Sequence, residues 1–117
     1  MAVAQPLIIK CTPQECRHIA KQAAEAHPLL TDETLLHERA RTFQALGNET
    51  RLRILATLSV QELCACDIVA ALGGAAATVA FHLRMLEDAG LISSRQTGKF
   101  TLYRLNRELL SEHRVFE

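Results

Sequence analysis

Between Glu62 and Leu105 the chain is punctuated by glycine in an order that few folds accommodate. The stretch ELCACDIVAAL (62–72) has helical apolar spacing and stops at Gly73-Gly74. A second helical stretch, with Val79, Leu83 and Leu86 on one face, stops at Gly90. Two short helices joined by a tight glycine turn form a helix-turn-helix. The next residues, LISSRQTGKFTLYRLN, read as strands 91–96 and 100–105 around Thr97-Gly98-Lys99, so a β-hairpin is expected. Helix, turn, helix, basic hairpin is the order of a winged helix.

Upstream, TPQE (12–15) starts a helix. Thr12 caps it, Pro13 suits the first helical position, and Glu15 closes a capping box. This helix is expected to run to about Ala26, where His27-Pro28 stops it. Another begins after Thr31, carries Leu35, Leu36, Ala40, Phe43 and Leu46 at helical spacing, and ends at Gly47. Asn48 then caps a helix with Leu52, Ile54, Leu55 and Leu58. A short helix or tail follows Arg107. The expected fold is mainly α with a β-hairpin, a winged helix-turn-helix with an extra N-terminal helix. Residues 1–30 are expected to form an N-terminal arm and helix carrying two cysteines, and residues 31–117 the winged helix-turn-helix domain.

The formal net charge is zero, which taken alone argues against nucleic acid. Its distribution argues the other way: Arg95, Lys99, Arg104 and Arg107 lie in a stretch, 91–107, without Asp or Glu. The opening MAVAQPLIIKC has no basic leader, and no run approaches the roughly 20 apolar residues of a membrane span. A cytoplasmic protein without a membrane partner is expected. There thiols stay reduced, and cysteines more often serve metal or redox chemistry than disulfides. No C-x-x-C precedes a helix in a βαβ context, and neither a glycine-rich phosphate loop nor paired catalytic carboxylates occur, so an enzyme is not expected.

Four cysteines remain to be explained. Cys64 and Cys66 are two residues apart, which on a regular helix points them roughly 200° apart. The objection disappears if Cys64 precedes the first turn. A competing capping box, Ser59-Val60-Gln61-Glu62, starts the helix earlier and requires that turn to unwind. Cys11 and Cys16 occupy the two positions that touch in a hydrophobic staple around the Thr12 cap, which would hold both thiols side by side. Small core residues are the plain alternative for Cys64 and Cys66, and a literal hydrophobic staple, or a disulfide formed in air, is that for Cys11 and Cys16.

LGNETRLRIL (46–55), ELCACDIVAAL (62–72), FHLRMLEDAGLI (81–92) and TGKFTLYRL (97–105) together resemble the ArsR/SmtB family of metal-sensing winged-helix repressors. The resemblance implies a homodimer on palindromic operator DNA, released when a thiophilic ion binds Cys64 and Cys66. Cd²⁺ or Pb²⁺ is favoured, with As(III) and Zn²⁺ behind. Such ions want three or four ligands. Val69 stands where some arsenic sensors have a third cysteine, so Cys11 and Cys16 are the expected remaining ligands. The last helix is short, and Arg107 and Leu109 stand where related sensors place acidic and histidine ligands, so no metal is expected there. A helical wheel turns Ala77, Thr78, Phe81 and Arg84 outward toward bases, with His82 nearer the buried edge. Arg95, Lys99 and Arg104 on the hairpin would meet phosphates. A thiol-based redox or persulfide switch on the same fold is the alternative.

Overall fold

The computed structural model describes residues 12–116. The chain divides into two compact units, residues 1–37 and 38–117. The first contains α1 (Pro13–Ala26), a 3-10 turn (Pro28–Thr31) and the start of α2 (Glu33–Leu46). Thr12 caps α1 as its sequence predicts: its hydroxyl accepts from the Glu15 N–H at 3.1 Å, and the Thr12 N–H donates to the Glu15 carboxylate at 2.8 Å. The Thr12 backbone N–H first, and the Thr12 side chain second, hold the Glu15 carboxyl below the usual carboxylate range. No residue of α1 is buried.

The second unit holds the core. The rest of α2 leads into α3 (Glu49–Leu58), which Asn48 caps by accepting from the Arg51 N–H at 3.0 Å. Then follow β1 (Leu63–Cys64), α4 (Ala65–Leu72), α5 (Ala76–Asp88), β2 (Ile92–Thr97), β3 (Phe100–Leu105) and α6 (Arg107–Glu112). Gly73 and Gly74 turn between α4 and α5 with φ of 79° and 94°, a region L side chains rarely enter, and the helix axes diverge by 116°. Gly90, at φ 77°, ends α5: its own N–H reaches the Glu87 carbonyl while the Leu91 N–H reaches that of Leu86.

Ile54, Leu55 and Leu58 of α3, Ile68 of α4, and Val79, Leu83 and Leu86 of α5 meet Leu91, Ile92 and Leu110 in one apolar cluster. Each such side chain contributes about 1.5–3 kcal/mol by leaving water. The helix-turn-helix is therefore fixed by its inward face, which leaves its outward face free for other chemistry.

The sheet has three strands in the order β1-β3-β2, all antiparallel. Two features depart from the sequence reading. The hairpin turn is the pair Gly98-Lys99 rather than three residues, because Thr97 still pairs with Phe100. The first strand was not expected: Leu63 pairs with Tyr103 and Cys64 with Leu102. Among the described residues no single helix is long and apolar enough to cross a membrane.

Candidate metal centre and nucleic-acid interface

Pairing with β3 holds Cys64 extended, at φ −85° and ψ 167°, and makes it the N-cap of α4. Ser59 instead closes α3, its N–H bonded to the Leu55 and Ala56 carbonyls, so the helix does not begin at the earlier capping box. With Cys64 outside helical dihedrals, its sulfur swings back over the first turn. The Sγ atoms of Cys64 and Cys66 lie 2.8 Å apart. Asp67 completes the group: the Cys64 thiol donates to its Oδ2 at 3.0 Å, and the Cys64 N–H points to the same oxygen at 3.4 Å. This is a capping box with a cysteine in the cap position.

The hydrogen bond to Cys66, and then that to Asp67, push the Cys64 thiol above its ordinary pKa, because ionisation would surrender the shared proton. Cys64 is buried and Cys66 exposed. One ligand atom from each of Cys64, Cys66 and Asp67 falls within a 4.8 Å span. Two thiolates on a tetrahedral ion with bonds of about 2.3 Å would stand about 3.8 Å apart. Holding such an ion therefore opens the sulfur pair by about 1 Å, and the exposed Cys66 has room to move.

The structure brings Cys64 and Cys66 together. Cys16, exposed on the first turn of α1, belongs to the first unit. Cys11 lies outside the described residues, and with it the expected Cys11–Cys16 staple.

The sulfur pair is tied to the wing as well as to α4. Paired residues share a face of the sheet, and alternation carries that face along each strand. Cys64, Leu102 and Arg95 stand side by side on it, with Phe100 and Thr97 nearer the turn. Just before β1, Glu62 accepts two bonds from the Arg95 guanidinium, at 3.0 and 2.8 Å. Charge alone had assigned Arg95 to phosphate; in the structure it has a carboxylate partner 33 residues away. Glu62 and Asp67 were both missed in the sequence, although Asp67 three residues after Cys64 is a legible capping pattern.

On α5, Ala77, Thr78, Phe81 and Arg84 are all exposed. Phe81 meets the His82 ring edge-on at 5.5 Å between centroids. His82 is half-buried, its Nδ1 without a hydrogen-bond partner, and its pKa is lowered first by burial and then by the Arg51 charge. On the hairpin, Lys99 occupies the turn, and Arg104 donates to the Ser93 hydroxyl at 3.3 Å. Exposed apolar and basic groups thus share one recognition helix and one wing.

Comparison with known proteins agrees with this architecture. The profile of the bacterial regulatory protein, arsR family, matches residues 48–94. A cadmium resistance transcriptional regulatory protein CadC homolog from Staphylococcus aureus is 39% identical over 70 residues, 59% of this chain and 58% of the relative. A transcriptional repressor SmtB homolog from Synechocystis is 32% identical over 85 residues, 73% of this chain and 64% of the relative. The chain thus spans about three fifths of the length of these two. An arsenical resistance operon repressor from Staphylococcus xylosus is 36% identical over 73 residues, 62% of this chain and 70% of the relative.

Among solved structures, one is a homodimeric winged helix-turn-helix DNA-binding domain from Mycobacterium bovis, described as a possible ArsR-family transcriptional regulator. It superposes with a TM-score of 0.65 at 32% identity, covering 69% of this chain and 75% of that one. An ArsR-like transcriptional regulator from Rhodococcus superposes at 0.62 with 31% identity, over 66% of this chain and 73% of that one. These relatives are transcriptional regulators, not enzymes. With its winged helix-turn-helix and the matches along that domain, the chain belongs to the bacterial regulatory protein, arsR family.

Proposed function

We propose that this protein is a cytoplasmic transcriptional repressor that holds operator DNA as a homodimer and releases it when a thiophilic ion binds Cys64 and Cys66. Cd²⁺ and Pb²⁺ are favoured, and As(III) and Zn²⁺ are the next candidates; relatives named for cadmium and arsenical resistance support a thiophilic ion. The arm, residues 1–30, supplies further sulfur from Cys11 and Cys16 to the DNA-binding domain, residues 31–117. Ala77, Thr78, Phe81 and Arg84 meet base edges, where apolar groups suit thymine methyls and Arg84 suits guanine. Arg95, Lys99 and Arg104 meet phosphates.

One observation carries the reading. Cys64 is at once the N-cap of the first helix of the helix-turn-helix and the β1 partner of wing residue Leu102. An ion that sets the sulfurs about 1 Å further apart strains both attachments, and so acts on both elements that touch DNA. Coupling of this kind typically changes affinity by about 5–150-fold.

The test is cadmium titration of the protein on a fluorescent duplex from its own upstream region. The reading expects DNA release by Cd²⁺ and none in Cys64→Ser. Undiminished release by Cd²⁺ in that variant rejects the site. Release by mild oxidant with no metal present would favour the redox switch instead.

A further inference from the structure

The first turn of α3 carries a charge that the fold leaves unanswered. Arg51, the third residue of that helix, is only 9% exposed. Its guanidinium makes no hydrogen bond or ion pair among the described residues. Nε is sealed from solvent without a partner, whereas the two terminal nitrogens are not sealed. A guanidinium cannot shed its charge, and a buried charge without a partner is costly. Its position adds to that cost, because the positive end of a helix dipole disfavours a cation. The N–H groups of Glu49 and Thr50, the first two of α3, are also unbonded, since the Asn48 side chain takes only that of Arg51. The one carboxylate on this turn, that of Glu49, is 90% exposed and faces Arg53 at 3.8 Å.

The recognition helix lies beside this charge. Arg51 acts on His82 of α5, whose half-buried ring has its own unpartnered Nδ1. His82 follows Thr78 by one helical turn, so the two share an edge of α5, and Thr78 is exposed. A helix that enters a groove brings backbone phosphates against its edges. We infer that Arg51 grips one phosphodiester of the operator backbone, with the open amides at the start of α3 as a second set of donors. The phosphate then supplies the negative charge that the fold omits, and the helix dipole, which opposes the bare cation, favours the anion. This rests on the DNA-binding half of the reading above and is independent of the sulfur pair.

Burial gives this contact a different task from those of the wing. Lys99 and Arg104 are exposed on the hairpin and must give up side-chain freedom to meet a phosphate. Arg51 is already enclosed, so its grip fixes how deep α5 sits in the groove. Burial also separates this role from a merely structural one. An arginine that held the fold together would lower stability and DNA affinity together when removed. An unpaired one, replaced by an apolar chain of similar length, leaves stability unchanged or raised while the affinity falls.

The test uses the full, metal-free chain on its own fluorescent promoter duplex. Arg51→Met should melt at or above the wild-type temperature, yet bind the duplex about tenfold more weakly. Its log affinity against log salt slope should be shallower by about 0.9, and the loss should be the same on an unrelated duplex, since phosphate carries no sequence. Replacing single phosphates in turn by neutral methylphosphonate should reveal one position per half-site that weakens the wild type about tenfold and leaves Arg51→Met unaffected. Arg51→Gln, which keeps an amide donor without the charge, carries the same comparison where the methionine variant does not fold. An unchanged salt slope overturns the proposal, and so does a scan in which no position loses its effect in the variants. Inorganic phosphate that raises the wild-type melting temperature beside such a flat scan would assign the site to a free oxyanion instead. If the wild type binds no promoter duplex, the parent reading fails; if it binds and the scan is flat, only this inference fails.

Discussion

Cys64 is assigned two separate duties, helix cap and metal ligand, and two substitutions separate them. Serine is a better N-cap than cysteine, since a hydroxyl oxygen accepts a backbone N–H more strongly than sulfur does. In Cys64→Ser the oxygen takes over two of the sulfur's partners, the Asp67 carboxylate and the amide end of α4, with Cys66 as the third. The folded state should therefore keep its melting temperature or gain a few degrees. Cys64→Ala keeps the small volume but loses the cap, and loss of a cap lowers the melting temperature of a domain this size by about 4–8 °C. Metal binding should respond quite differently. Structural zinc sites bind with about 10–16 kcal/mol in all; divided over four ligands, each thiolate accounts for roughly 100-fold or more. Serine and alanine should thus weaken cadmium binding alike, by about 100-fold, while only alanine destabilises the fold. Thermal melts of the metal-free proteins and competitive cadmium titrations measure the two effects independently. Cadmium affinity retained in Cys64→Ser, or identical melting of the two variants, would refute the double assignment.

Other outcomes follow from the same geometry. His82 is held below its ordinary pKa by burial and by the Arg51 charge, so the unfolded chain takes up this proton more readily than the native one. Its stabilising contribution is present above about pH 6.5 and is lost as pH falls through the lowered native value. His82→Gln should flatten that acid limb in melts run between pH 7.5 and 5; an unchanged limb would place the sensitivity elsewhere. The Glu62–Arg95 pair is exposed, at 57% and 37% for the arginine and glutamate side chains, so Glu62→Gln should change stability by less than about 1 kcal/mol. On DNA it should remove the carboxylate that competes with phosphate for Arg95 and so tighten binding, whereas Lys99→Ala should make the log affinity against log salt slope shallower by about 0.9. Leu83, at 2% exposure, anchors α5 to the core, and Leu83→Ala should cost about 2–5 kcal/mol by urea denaturation. A loss below 1 kcal/mol there would mean that the recognition helix is not held by this contact.

Local signals made much of this architecture legible. The Thr12-Glu15 capping box, the Asn48 cap and the glycine stops each rest on residues within four positions of one another and stand where the sequence placed them, and the hairpin differs by one residue at its turn. What the sequence hid is non-local. Strand β1 is two residues long, too short for any alternation, and exists only because Leu63 and Cys64 find β3 some forty positions later. That same pairing decides between the two possible starts of α4, which local capping patterns left open. The Glu62 partner of Arg95 was invisible for a similar reason: a count of basic residues along the hairpin contains no information about a carboxylate 33 positions upstream. Phe100 read as an ordinary strand residue, and its place beside the sulfur pair emerges only from the register of three strands. The cysteine pair itself was conspicuous in the sequence, but its connection to the wing was not.

The most direct test follows thiolate-to-cadmium absorption in the ultraviolet and the anisotropy of bound promoter DNA together, in one cadmium titration of the wild-type protein and of Cys66→Ser. In the wild type both signals should change together and finish at the same metal-to-protein ratio, and Cys66→Ser should lose both. Absorption that saturates while DNA stays bound, or DNA release with no absorption change, would contradict the claim that ion capture at this seam is what loosens the repressor.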